Sequence, residues 1–201
     1  MNFNLPPITR ALLLANIAVF VLQWLFDPVL IVLFGLWPLH AGWGVGGFMP
    51  WQVLSYSFLH GDPMHLLFNM FALYMFGGEL EQFFGSKRYL NYYLVCIVSA
   101  ALLQLLVTWQ SAATYPTIGA SGGVFGLLLA FGMYFPRRMI LLIIPPIPMP
   151  AWLFVSLYGA LELFLGVTGT QAGVAHFAHL GGMLGGYLMI RHWRDQRRRR
   201  L

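Results

Sequence analysis

The sequence predicts an all-α membrane protein: a bundle of six spanning helices in a single domain, residues 1–201, with both termini cytoplasmic. Three observations predict it. Composition is the first, because 59% of the residues are hydrophobic and only 8% are charged, against roughly 25% charged in a soluble domain. The spacing of charge is the second. No Asp, Glu, Lys or Arg stands between Arg88 and Arg137, and that gap holds two spans of about 20 residues each. The third is sidedness. Arg10, Lys87, Arg88, Arg137, Arg138 and the arginines from Arg191 onward all fall on one face of a six-span path, which the positive-inside rule makes cytoplasmic. One span more or fewer would scatter them over both faces.

The spans follow in order. The first covers 9–26, after two prolines and Thr9, and stops at Asp27-Pro28. Residues 28–58 are uncharged and rich in Gly, Pro and Trp ("GLWPLHAGWGVGGFMPW"), which suits an interfacial loop with aromatic anchors. The second span, 63–82, begins at Asp62-Pro63, where Asp caps and Pro fits the first turn. The third is 88–109, "QSAATYPTI" breaks the uncharged run, and the fourth is 119–135. "PRRM" ends it, and "IIPPIPMP" delays the fifth to 149–166. The polar loop "GVTGTQAG" leads to the sixth, 173–192, and residues 193–201 form a basic cytoplasmic tail. That tail reads as an anchor on anionic lipid rather than a nucleic-acid site. The N-terminus shows no small-residue cleavage site of a signal peptide. The single cysteine, Cys96, has no intramolecular disulfide partner.

Topology fixes depth. Ser121 is 16 residues from Arg137, roughly 24 Å along a helix, and His179 is 12 residues from Arg191, roughly 18 Å. Both lie in the outer half of a hydrocarbon core about 30 Å thick. His65 and Asn69 enter from the same outer side on one face of span two. Singly, each has a plain structural reading: Ser121 within "GASGG" lets helices approach, and the others hydrogen-bond between helices. Together they hold the groups that acyl transfer needs. Histidine is the usual base for a serine hydroxyl, and an oxyanion needs donors aimed at it; the Ser121 N–H, His65 and Asn69 are the candidates. Asp27 and Asp62 lie at loop edges and Glu162 near the outer end of span five, so the expectation is a Ser-His dyad rather than a triad. Gly119, Gly122 and Gly123 leave room beside the serine, Gly182 and Gly186 offer a close-packing face, and Phe125 lies one turn after Ser121, placed either to support the imidazole or simply to pack.

These residues match a family pattern. "GASGGVFG", "HFAHLGGMLGG" and "HGDPMHLLFNM" resemble the motifs of the rhomboid intramembrane serine proteases, in order and over nearly the whole chain. The resemblance implies Ser121 as nucleophile, His179 as base (Gly182 follows it by three, which His176 lacks), and an oxyanion role for His65 and Asn69. It implies a structural role for Glu81 in "GGELEQFFGS". Where the family often carries Trp-Arg in the first external loop, this chain has Trp51-Gln52. The implied substrate is a transmembrane segment of another protein, cut near its outer end after a small residue. Local unwinding must free the scissile bond, so helix breakers help, water must reach Ser121, and "GVTGTQAG" is a candidate lid. No cofactor and no metal are expected, since "HFAH" lacks the glutamate of HExxH. The partners are membrane-protein substrates and the lipid bilayer, not nucleic acid. A multi-pass protein of a bacterial plasma membrane fits the compact form. A rhomboid-like binding protein without catalysis would be expected to lack the nucleophile or the base, and a channel would want charges inside its spans.

Overall fold

Among the described residues, helix covers most of each predicted span. The computed structural model describes residues 5–109, 115–141, 146–169 and 175–199. Its helices are α1 (Pro7–Phe26), α2 (Val29–Phe34), α3 (Gln52–Ser55), α4 (Pro63–Ala72), α5 (Gly78–Phe84), α6 (Ser86–Thr108), α7 (Ser121–Tyr134), α8 (Ala151–Thr168) and α9 (His176–Arg198). Among them α1, α6 and α8 are long and apolar enough to cross a membrane, and α7 is a shorter apolar helix.

The start of α1 is closed by another helix. Pro7 has no N–H to satisfy. The next two N–H groups, of Ile8 and Thr9, donate to the Glu81 carboxylate at 3.0 and 2.7 Å, and the Thr9 and Ser86 hydroxyls add bonds of 2.8 and 2.6 Å to it. Glu81 therefore ties α1, α5 and α6 together, the structural role that the resemblance implied. At the other end of α1, Gln23 exchanges two 3.0 Å hydrogen bonds with the backbone of His60. The start of α4 is capped as the sequence predicts: Asp62 accepts from the N–H groups of Met64 and His65 at 2.8 and 2.9 Å, with Pro63 in the first turn. A wide π turn, Leu73–Gly77, joins α4 to α5, so span two runs on to Phe84 with one widened turn in it.

Two connections are more ordered than the sequence predicts. Within 28–58 the chain forms α2, α3 and two 3₁₀ turns, Leu39–Ala41 and Tyr56–Phe58. Gln52, fully buried, braces this region. Its side-chain oxygen accepts from the N–H groups of Trp37 and Met49 at 3.2 and 3.1 Å, and its amide donates to the carbonyls of Gly47 and Leu33 at 3.1 and 3.4 Å. The Trp51 indole adds a 3.0 Å bond to Leu33. After α7, strands β1 (Met139–Leu141) and β2 (Pro148–Pro150) pair antiparallel, Met139 opposite Pro150. Prolines are tolerated there because a two-stranded ribbon leaves one edge of each strand unpaired.

Central to the bundle is α7, whose residues Gly122 to Leu128 are all buried. Helices approach it closely only because glycines line the contacts. A Cβ on Gly126 would overlap Cys96 of α6, and one on Gly182 of α9 would overlap the backbone of Gly122. On α9, Gly181 and Gly185 lie against Ser99 of α6 while Gly182 lies against α7. A helix turns about 100° per residue, so adjacent glycines seat α9 against two neighbours at once.

Candidate active site

Ser121 is the first residue of α7, where the leading N–H groups have no partner within the helix. The approach to it is fixed by the loop region. Thr117 and Leu36 exchange backbone hydrogen bonds of 2.9 Å, and the Gly119 N–H donates to Tyr56 O at 3.0 Å. Gly119 has φ +125°, and a Cβ there would stand 2.8 Å from His65 Nε2 and 3.7 Å from Ser121 Oγ. Glycine is therefore needed twice at this position, for the backbone angle and for the space between the imidazole of His65 and the serine hydroxyl.

His179, one turn into α9, meets Ser121 across the Gly122–Gly182 contact. Its Nε2 is 2.8 Å from Ser121 Oγ, although 58 residues separate the two in sequence. The Phe125 ring stacks on the imidazole, centroids 4.2 Å apart and planes 6° from parallel, so of its two sequence readings the structure shows the supporting contact. On the opposite ring nitrogen, Nδ1 is 2.9 Å from Glu162 Oε2. His176 Nδ1 is 2.7 Å from the same oxygen. All three side chains are nearly excluded from solvent.

Other predicted residues lie close by in different ways. The Gly61 N–H donates to His65 Nδ1 at 3.3 Å, which leaves the proton on Nε2, the nitrogen facing the Gly119 gap. Asn69 is buried one turn further on, its amide engaged with the His65 carbonyl at 3.1 Å rather than with Ser121. Gly186 packs on α6, against Tyr92 and Cys96, and not on α7. Of the candidate lid, residues 170–173 lie outside the described residues.

Glu162 is the residue that the sequence reading set aside. The signal that finds it is the depth argument already used for the histidine. Glu162 is 11 residues into α8 from Ala151, roughly 17 Å, and His179 is roughly 18 Å from Arg191 on its own helix. Counting from the same face, the two share a level. Glu162, His176 and His179 also make a three-donor set of the kind that holds a metal ion, their ligand atoms within 4.8 Å of one another.

Comparison with known proteins identifies the relatives of this chain. The family model described as "Rhomboid domain" matches residues 47–194. The chain is 30% identical to "Rhomboid protein 1, mitochondrial" of Saccharomyces cerevisiae, over 85% of this chain and 54% of that protein. It is 28% identical to "Rhomboid protease GlpG" of Klebsiella pneumoniae, over 94% of this chain and 64% of the relative. It is 29% identical to "Rhomboid protease AarA" of Providencia stuartii, over 90% and 70%. The chain thus spans between about half and two thirds of the first two.

Proposed function

The chain belongs to the rhomboid family, and from that premise we propose that it is an intramembrane serine endopeptidase with Ser121 as nucleophile and His179 as general base. One observation carries the reading: the 2.8 Å approach of the Ser121 hydroxyl to His179 Nε2, within the reach that proton transfer requires. The protein is an integral membrane protein. In this reading it crosses the bilayer six times with cytoplasmic termini, the path on which every Lys and Arg falls inside. The site then faces the extracytoplasmic half. A bacterial plasma membrane suits it, as bacterial rhomboid proteases are among its relatives.

The chemistry follows from the contacts. The Ser121 O–H donates its proton to His179 Nε2 as Oγ bonds to the scissile carbonyl carbon. Negative charge moves to the carbonyl oxygen, which the Ser121 N–H and His65 Nε2–H are placed to receive, with Asn69 behind His65. The imidazolium returns its proton to the leaving amine as the C–N bond breaks. Water then enters and gives a proton to His179 as its oxygen bonds to the acyl carbon; the imidazolium returns that proton to Ser121 Oγ as the C–Oγ bond breaks and the acid leaves. The substrate is a transmembrane segment of another protein, unwound near its outer end and carrying a small residue before the cut.

The test is cleavage of single-span substrates by purified protein in liposomes, together with fluorophosphonate labelling. Ser121→Ala and His179→Ala should abolish cleavage while still inserting, and His176→Ala should retain substantial activity. A fully active Ser121→Ala variant would end the proposal.

A further inference from the structure

The Ser121–His179 pair leaves one buried group unused. Glu162, on α8, makes no contact with Ser121, yet its Oε2 is the partner of His179 Nδ1 on the side of the ring away from the serine. We propose that Glu162 is a positioning residue that turns the expected dyad into a Ser121–His179–Glu162 relay, with His176 holding the carboxylate in place from its second side. The proposal rests on the proteolytic reading above and deepens it.

The argument starts from the two tautomers of a neutral imidazole. The proton sits on either nitrogen, and only one form leaves Nε2 free to take the serine proton. An ionised carboxylate only accepts, so a 2.9 Å contact to Nδ1 requires N–H there and a lone pair on Nε2. The same contact fixes the ring plane, which Phe125 fixes from its face. When Nε2 takes the serine proton, the imidazolium forms against an anion already in place, in a water-poor setting where that attraction is strong. Glu162 itself stays ionised, as the acidic member of such triads does.

A carboxylate this deep needs partners of its own. It has two, because His176 Nδ1 donates to the same oxygen at 2.7 Å. His176 stands nearly perpendicular to His179, and among the described residues its Nε2 has no hydrogen-bond partner, so within them it does not extend the relay to a second group. Its place is to steady the acid.

The same three residues suit a metal ion by type but not by spacing. Ligands about 2.0–2.1 Å from a tetrahedral zinc lie roughly 3.3 Å apart. The separations here, 2.7 and 2.9 Å, are those of charge-assisted hydrogen bonds.

The test compares wild type, Glu162→Gln and Glu162→Asp, full length and in liposomes, with Ser121→Ala and His179→Ala alongside. Glu162→Gln is expected to lower kcat at least about tenfold, and at most by the roughly 10⁴-fold cost of the wrong tautomer, with KM little changed. The acid limb of its pH profile should move to lower pH, because the carboxylate that favours the protonated imidazole is gone. Among the described residues, the titratable groups facing His179 are Glu162 from α8, His176 on its own helix and His65 from α4, with Tyr158 of α8 beside Glu162; the variant changes only Glu162. Glu162→Asp keeps the charge on a shorter arm and should fall between the two, and it carries the same test if Glu162→Gln fails to fold by thermal unfolding. Wild-type kcat in Glu162→Gln, or a loss confined to KM or melting temperature with an unmoved acid limb, overturns the relay. So does loss of wild-type activity to a chelator with recovery on added zinc. Activity in Ser121→Ala overturns instead the proteolytic reading on which the relay stands.

Discussion

Gln52 allows one prediction to be worked through in numbers. Where the family pattern often has arginine, this side chain accepts from two backbone N–H groups and donates to two carbonyls. Replacement by leucine keeps the volume and removes all four bonds. Leu33 O retains the Trp51 indole at 3.0 Å, so three backbone groups are orphaned: Trp37 N–H, Met49 N–H and Gly47 C=O. At about 1 kcal/mol each, the lower end of the cost of an unmade buried bond, the loss is about 3 kcal/mol. For a chain of this size that is a fall of about 6–12 °C in Tm. The assay is thermal unfolding in detergent followed by tryptophan fluorescence. Gln52→Arg supplies the sharper arm. Guanidinium has donors and no acceptor, so it cannot receive the two N–H groups and should destabilise as much as leucine does. An unchanged melting temperature in both variants would refute the bracing argument, and a stabilised Gln52→Arg would mean that the loop accepts a donor-only side chain.

Three further predictions follow from contacts described above. Glu81→Ala removes the acceptor that closes the start of α1 and should cost about 3 kcal/mol, seen as a lower melting temperature and earlier proteolysis near the N-terminus. Gly182→Ala drives a methyl group into the backbone of Gly122; it should lower cleavage and fluorophosphonate labelling together, by at least about tenfold, since small displacements at reacting atoms are costly, whereas labelling at the wild-type rate would show that α9 can shift without parting Ser121 from His179. Burial, with His65 adding to it, pushes the His60 imidazole down to about 4, while in the unfolded chain it titrates near 6.5. Unfolded protein therefore binds the proton first, and stability falls as pH drops from about 6.5 towards 4; His60→Phe should flatten that part of the curve of melting temperature against pH, and an identical slope in the variant would show that His60 is solvated.

Much of this was legible because the bilayer imposes a ruler. Ser121 and His179 could be matched across 58 residues since, on the proposed six-span path, charge marks where each span ends and helical rise converts count into depth. The cap at Asp62-Pro63 is local and was readable for the same reason that it works: it depends on adjacent residues. The start of α1 at Pro7 is two residues earlier than the sequence suggests, because its first N–H groups are closed by Glu81 from another helix. Glu162 stands out in the sequence at the outer end of span five but on a different helix from Ser121 and His179, so only its depth, not any local motif, links it to them. The π turn at Leu73–Gly77 and the pairing of Met139 with Pro150 had no local signal, because each is settled by what packs or pairs at a distance. The role of Gln52 had no local signal, because its four backbone partners come from residues 33 to 49 folding around it.

The seating of α8 has a mechanical consequence. Only Ala151, Val155 and Glu162 of its residues are buried, and beyond Val155 it also meets the bundle through the Tyr158 ring against Phe125 and through Gly166 against Phe177. Glu162 is thus the one anchor of this helix that is also the partner of both imidazoles. Any tilt of α8 away from α9 would draw the acid off both rings in the same movement, leaving the serine without an oriented base.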